Sequence, residues 1–153
     1  MIRPAHEGDV AALVPLMRAY SEFYEASPAD EGLERMARAL IGGSDSDGIL
    51  LCACDGEADD EVVGFAACGW KWSSLRGARI VVLEDLFVAP EARGRGHADA
   101  LIDGCAERAR ALGAPVLTWL TAPDNTRAQA VYDRVGGRAE AMVEYELELD
   151  QRS

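Results

Sequence analysis

The residues best able to do chemistry cluster in the second half of the chain. Glu91–Ile102, EARGRGHADALI, packs two arginines and two glycines into four positions, between an apolar run and a helical pattern. The first turn of a helix carries unpaired backbone N–H groups and a partial positive charge. Glycines ahead of that turn let a phosphate approach the backbone, because no Cβ stands in the way. Gly94 and Gly96 would supply the access, and Arg93 and Arg95 the formal charge. A diphosphate is the natural ligand of such a loop. The alternative is a plain helix start with two solvent-facing arginines. A triphosphate-binding GxxxxGK[ST] pattern is absent, and Lys71 is the chain's one lysine. The dinucleotide pattern GxGxxG fails at its third glycine, where Asp99 stands.

Two acids precede the loop and a tyrosine follows it. Glu84 and Asp85 interrupt the apolar run VVLEDLFV. A buried carboxylate is costly unless it has a partner or a role. Adjacent strand residues face opposite sides, so only one of the two should point into a given cleft. The other reading of the pair is a structural ion pair with Arg79 or a neighbouring arginine. Further on, NTRAQAVYDRVGG (125–137) reads as an amphipathic helix with Ala128, Val131, Tyr132 and Val135 on one face. Taken alone, Tyr132 reads as a core aromatic of that face.

The elements that must position these residues follow from the hydrophobic period. Ile2–Ala5 reads as a first strand. Asp9 is a candidate cap for a helix bearing Val10, Leu13, Val14, Met17, Tyr20 and Tyr24, with a kink or displaced start expected at Pro15 and an end at Ser27-Pro28. Asp30 is a candidate cap for a second helix carrying Leu33, Met36, Ala37, Leu40 and Ile41, stopped by Gly42-Gly43. Residues 44–48 read as a loop. Ile49–Asp55 and Val62–Trp72 form a hairpin around GEADDE, and Arg79–Val88 is a third, strongly apolar strand. A helix over 96–112, a strand over 115–121, a helix over 125–135 and a last strand over 141–149 complete the order β-α-α-β-β-β-α-β-α-β. Three antiparallel strands followed by β-α-β-α-β predict an α/β fold with one mixed sheet and helices on its faces. The 79–88, 96–112, 115–121 unit should be a right-handed parallel crossover.

Composition narrows the classes. A chain of 153 residues with 49% hydrophobic and 27% charged residues is one domain's worth, 1–153. The net charge of -12 argues against a nucleic-acid surface, which needs a basic patch. The charge is uneven: Arg76–Arg110 holds six arginines and six acids and is neutral, so the rest carries the full -12. An acidic surface with one balanced window fits a cationic partner beside a local anion site, and equally fits solubility alone, the commoner meaning of surface acid. No apolar run approaches the roughly 20 residues of a membrane helix, and MIRPAHEGDV lacks a secretory h-region. Cys52, Cys54, Cys68 and Cys105 form no CxxC or His/Cys cluster, and only two histidines are present, so no metal site is expected. Free buried thiols in a reducing, cytoplasmic compartment are the plain expectation.

The segment Leu83–Ile102, LEDLFVAPEARGRGHADALI, resembles the signature of the GCN5-related N-acetyltransferase (GNAT) superfamily. Arg93, Gly96 and Ala98 match its [R/Q]-x-x-G-x-[G/A] acetyl-coenzyme A loop. The 125–137 stretch resembles its later Asn…Ala…Tyr…Gly helix, and the element order agrees over essentially the whole chain. LEDLFV beside the loop is closest to the spermidine/spermine (diamine) type. The resemblance implies an acyl-CoA acyltransferase fold and direct acetyl transfer in a ternary complex, with acetyl-CoA as co-substrate and no metal. The acceptor would be the primary amine of a polyamine, diamine or amino acid. A protein, peptide or aminoglycoside acceptor, or a non-catalytic acyl-CoA sensor, is the alternative. Residue by residue, it implies that Arg93, Gly94, Arg95, Gly96, His97 and Ala98 wrap the pyrophosphate. Leu86, Phe87 and Val88 would pair backbone groups with the pantetheine arm and supply an oxyanion donor. Asn125 would bind the pantetheine, Tyr132 would protonate the sulfur, and Glu84 would act as base, directly or through water. Tyr24, Glu25, Trp72 and Asp85 would hold the amine by cation–π contact and ion pairing. Relatives of this type imply a homodimer, with neither a nucleic acid nor a membrane as partner.

Overall fold

The computed structural model describes residues 1–44, 47–58 and 60–149. Its strands are β1 (Ile2–Pro4), β2 (Ile49–Asp55), β3 (Glu61–Ser73), β4 (Ala78–Val88) and β5 (Leu117–Thr118), and its helices are α1 (Val10–Phe23), α2 (Asp30–Gly42), α3 (His97–Ala111) and α4 (Thr126–Arg134). The sheet order is β1-β2-β3-β4-β5, antiparallel throughout except for the parallel β4–β5 pair. The fold is thus the expected mixed α/β arrangement.

Alternation within the central strands builds a core on each face of the sheet. Leu50, Cys52, Cys54, Phe65 and Ala67 pack against Val10, Leu13, Val14 and Met17 of α1 and Leu33 and Ala37 of α2. Ile49, Leu51, Ala53, Ala66 and Cys68 pack on the other face with Leu101, Ile102, Cys105 and Ala109 of α3. Leu101 is fully buried, so Leu101→Ala should cost about 2–5 kcal/mol of stability. All four cysteines are free and buried, as the sequence predicts.

Several boundaries differ from the expected ones. Asp9 does not cap α1 through its side chain; it is buried, pairs with Arg3 at 2.7 and 2.9 Å and accepts from the His6 N–H. Arg3 and the His6 N–H hold the Asp9 carboxyl well below the usual carboxylate range, against the opposing effect of burial. α1 continues through Pro15 and stops at Phe23, ahead of the expected Ser27-Pro28, and Glu25 then turns with φ 58°. Asp30 is the first residue of α2, where its carboxylate accepts from Arg18 Nε and Nη2 at 3.1 and 2.7 Å. Part of the predicted 44–48 loop (45–46) and part of the GEADDE turn (59) lie outside the described residues.

The largest departures are at the C-terminal end. The strand expected over 115–121 is reduced to Leu117–Thr118, and the strand expected over 141–149 does not form. A strand needs a ladder, and β5 pairs with β4 only at Val81↔Leu117 and Val82↔Thr118 before the two diverge. That divergence leaves one side of β4 uncovered from Leu83 onward, and this opening positions the site.

Candidate active site

β4 carries an irregularity where the chemistry is expected. Ala67 pairs with Asp85 and Cys68 with Leu83, so Glu84 is the extra residue of a β-bulge. A bulge re-aims side chains and changes which face a strand presents. Before it, Val81 and Leu83 enter the α3-side core; after it, Leu86 and Val88 do. Strict alternation, the basis for letting only one of Glu84 and Asp85 serve a cleft, therefore fails here. Glu84 lines a cleft with Tyr20, Tyr24, Leu83, Leu86, Trp119, Leu120 and Tyr132. Asp85 sits beside it, close to the Tyr20 hydroxyl, which donates to the Glu84 carbonyl at 3.3 Å.

Burial and then the charges of Asp85 and Glu144 raise the Glu84 pKa, with Lys71 opposing. Burial raises that of Asp85, and the Tyr20 hydroxyl partly offsets it. Burial and then Asp85 push the Tyr20 phenol well above its ordinary range. Tyr132 faces this group from α4; its ring stacks edge-on against Trp119 at 5.4 Å, and burial raises its pKa. Two carboxylates held toward protonation and a phenol held protonated, around one opening, form a set able to accept and return protons.

The loop after β4 is built differently. A short turn, Pro90–Ala92, leads to Arg93, after which Gly94 and Gly96 take φ 80° and 84°, the left-handed region that favours glycine. Both glycines face open space, and Gly96 also accepts the first helical bond, from Ala100 N. The N–H groups of His97, Ala98 and Asp99 have no partner one turn back, so they point out of the helix start. This geometry fits a pyrophosphate. The arginines contribute less than expected. Arg93 is folded back, donating to the Val88 carbonyl at 2.9 Å with its guanidinium 5.6 Å from the Phe87 ring centre. Arg95 is ion-paired with Asp55 and also donates to the Glu91 carbonyl. The His97 ring is nearly buried, with Nε2 3.5 Å from Asp55 Oδ2, too long for a good hydrogen bond. Asp99, at the failed third-glycine position, receives Arg134 at 2.9 and 2.7 Å and ties the start of α3 to the end of α4.

Asn125 caps α4, accepting from Ala128 N at 3.1 Å, which leaves its side-chain NH2 as a donor. Phe87 and Val88 close the uncovered stretch of β4, with Phe87 6.5 Å from the Tyr20 ring. Tyr24 lines the cleft, 5.1 Å from Tyr20. Glu25 lies past the end of α1 outside the lining, and Trp72 is 77% exposed at the far end of β3. Trp119 and Leu120, cleft residues that sequence reasoning missed, follow β5 directly. Their only signal was an aromatic at the end of a predicted strand.

Comparison with known proteins places the fold in one family. Residues 13–137 match the family model described as "Acetyltransferase (GNAT) family". The chain belongs to that family, and it is an acetyltransferase. It is 34% identical over 135 residues to the uncharacterised N-acetyltransferase YhfO of Bacillus subtilis, covering 88% of this chain and 87% of that protein. It is 32% identical over 143 residues to the thialysine N-epsilon-acetyltransferase of Bos taurus, covering 90% and 84%. Among solved structures, the aminoglycoside N-acetyltransferase AAC(6')-Iy bound to a CoA-S-monomethyl-acetylneamine bisubstrate analogue superposes with a TM-score of 0.81 at 22% identity, over 97% of this chain and 98% of that one. At that identity the likeness shows the fold alone. No helix among the described residues is long and apolar enough to cross a membrane, and none of their His, Cys, Asp and Glu side chains group as a metal site.

Proposed function

We propose that the chain acetylates the primary amine of a small cationic molecule, a polyamine, diamine or basic amino acid, by direct transfer from acetyl-CoA. The observation that carries this reading is the cleft itself: Glu84 and Tyr132 line one opening where β4 parts from β5. Tyr20, Tyr24 and Trp119 surround it with aromatic faces, and Glu84 brings negative charge, which suits a cation. The thialysine enzyme, named for an amine-bearing acceptor, supports the same class. The diamine subtype rests on the LEDLFV stretch. A homodimer is part of the proposal, as is a cytoplasmic address, which the four free cysteines support.

Acetyl-CoA supplies an activated thioester carbonyl. The helix-start amides of His97 and Ala98, reached over Gly94 and Gly96, hold its pyrophosphate, and the Asn125 amide and the Leu86–Val88 backbone groups that Arg93 leaves unoccupied hold the arm. Glu84, ionised, takes a proton from the incoming ammonium, directly or through a water, so that a neutral amine can attack. A β4 backbone N–H donates to the carbonyl oxygen as negative charge grows on it. As the new C–N bond forms and the C–S bond breaks, Tyr132 gives its proton to the leaving sulfur. The products are an amide and a free thiol: the second proton shed by the acylated nitrogen restores the Tyr132 phenol, and Glu84 releases its proton to solvent.

The test is thiol release with acetyl-CoA and a panel of spermidine, putrescine, basic and neutral amino acids, an aminoglycoside and a peptide. Turnover confined to the small cationic amines is expected. Turnover with the peptide alone, or stabilisation by acetyl-CoA without thiol release, would overturn the assignment.

A further inference from the structure

The helix that carries Tyr132 is weakly held. α4 is nine residues long, shorter than an isolated helix needs to be stable in water. None of its residues is fully buried, and Val131, Tyr132 and Val135 only lean on the α3-side core. The Gln129 side chain binds the Ala122 and Pro123 carbonyls, which belong to the loop just before the helix. Apolar contact is non-directional, so it sets no unique rotation or slide for so short an element.

One directional tie reaches α4 from another element. Arg134 donates to both carboxylate oxygens of Asp99, from Nε at 2.9 Å and from Nη2 at 2.7 Å. Among the described residues, no other hydrogen bond joins α4 to another helix or to the sheet. The two ends of this tie are informative. Asp99 stands in the first turn of α3, whose amides are assigned to the pyrophosphate. Arg134 stands in the last turn of α4, two residues past Tyr132. A guanidinium fork on a carboxylate fixes direction as well as distance. Arg134 holds the Asp99 carboxyl below the usual carboxylate range, so the pair stays ionised at neutral pH.

The pair adds little to stability, because Arg134 is 59% exposed and Asp99 32%. Its value is geometric. A proton donor must lie within hydrogen-bond reach of the atom it serves. A misplacement of about 1 Å can cost a reaction as much as 100-fold.

We propose that Asp99 and Arg134 are positioning residues: the pair locks the last turn of α4 to the first turn of α3 and so holds the Tyr132 hydroxyl at the sulfur of the bound donor. The inference rests on Tyr132 being the proton donor of the proposed reaction. Donor seat and acid are thereby joined by two side chains that take no part in the chemistry.

Amide hydrogen exchange on the full chain, which needs no activity, is the first measurement. Arg134→Gln and Asp99→Asn should each speed exchange over 126–135 by about 3- to 5-fold, with α1 and β2 unchanged and Tm within about 4 °C of native. Arg134→Lys, which keeps the charge and one bond, should fall between. With the best amine acceptor, Arg134→Gln should lower kcat by about 5- to 10-fold, while acetyl-CoA affinity stays within about 2-fold. The double variant Asp99→Asn with Arg134→Gln should lose no more than either single one. Added to Tyr132→Phe, Arg134→Gln should cost nothing further, because the phenol it places is gone. Unchanged exchange over 126–135, an unchanged kcat, or the same kcat loss in the Tyr132→Phe background would each overturn the proposal. Native kcat in Tyr132→Phe alone would overturn the acid assignment, and with it this use of the pair, while exchange separately decides whether the pair holds α4.

Discussion

The Arg93–Ala98 loop and the cleft around Glu84 meet on β4, yet they are built from different material. The loop presents backbone: two left-handed glycines, open space and the N–H groups of a helix start, with its arginines occupied by Val88 and Asp55. The cleft presents side chains drawn from α1, β4, the end of β5 and α4. In the proposed function the backbone site recognises the phosphorylated donor, and such a site depends little on side-chain identity. A side-chain site can change its acceptor by single substitutions. The two regions should therefore respond differently to mutation.

The largest effect is expected at Tyr132. Tyr132→Phe removes the proton for the leaving sulfur and should lower kcat by about 100-fold or more in steady-state assays. Glu84→Gln comes next, with a loss of about 10- to 100-fold near neutral pH, and its pH profile is the sharper readout. Glu84 must be ionised to act, and its pKa is raised, so the acid limb of kcat/KM should lie above the ordinary carboxylate value of about 4.3. In the Gln variant that limb should disappear; a limb that persists assigns the base elsewhere. Gly96→Val forces a β-branched residue to φ 84° and should weaken acetyl-CoA binding by about 10-fold. The smallest effect is expected for Arg95→Ala, within about 3-fold in acetyl-CoA affinity, because Asp55 already holds that guanidinium. A larger loss from Arg95→Ala than from Gly96→Val would break the contrast between a backbone site and a side-chain site.

The same contrast explains what was legible in the sequence. β2 was predicted at Ile49–Asp55 and found there, and α3 and α4 differ from prediction by about one residue at each end. The shape of the Arg93–Ala98 loop was legible because glycine spacing before a helix encodes a backbone shape locally. The cleft was legible only in part. Glu84 stood out as a charge in an apolar strand, but the bulge that re-aims it comes from pairing with Ala67 and Cys68, which are distant in sequence. Tyr20 and Trp119 belong to unrelated elements, and only the packed fold brings them together. Arg95 was read as a phosphate ligand because its partner, Asp55, lies 40 residues upstream. The 141–149 strand was read from a genuine period-2 pattern; the pattern is present, but the domain lacks a long enough β5 to pair with it.

The measurement that bears most directly on this division is the affinity of Tyr132→Phe for acetyl-CoA, by isothermal titration calorimetry. Binding within about 3-fold of the native protein, alongside the loss in kcat, is the predicted result, since the phenol acts only as the C–S bond breaks. An affinity loss matching the loss in kcat would contradict it, showing that Tyr132 holds the donor rather than completes the transfer.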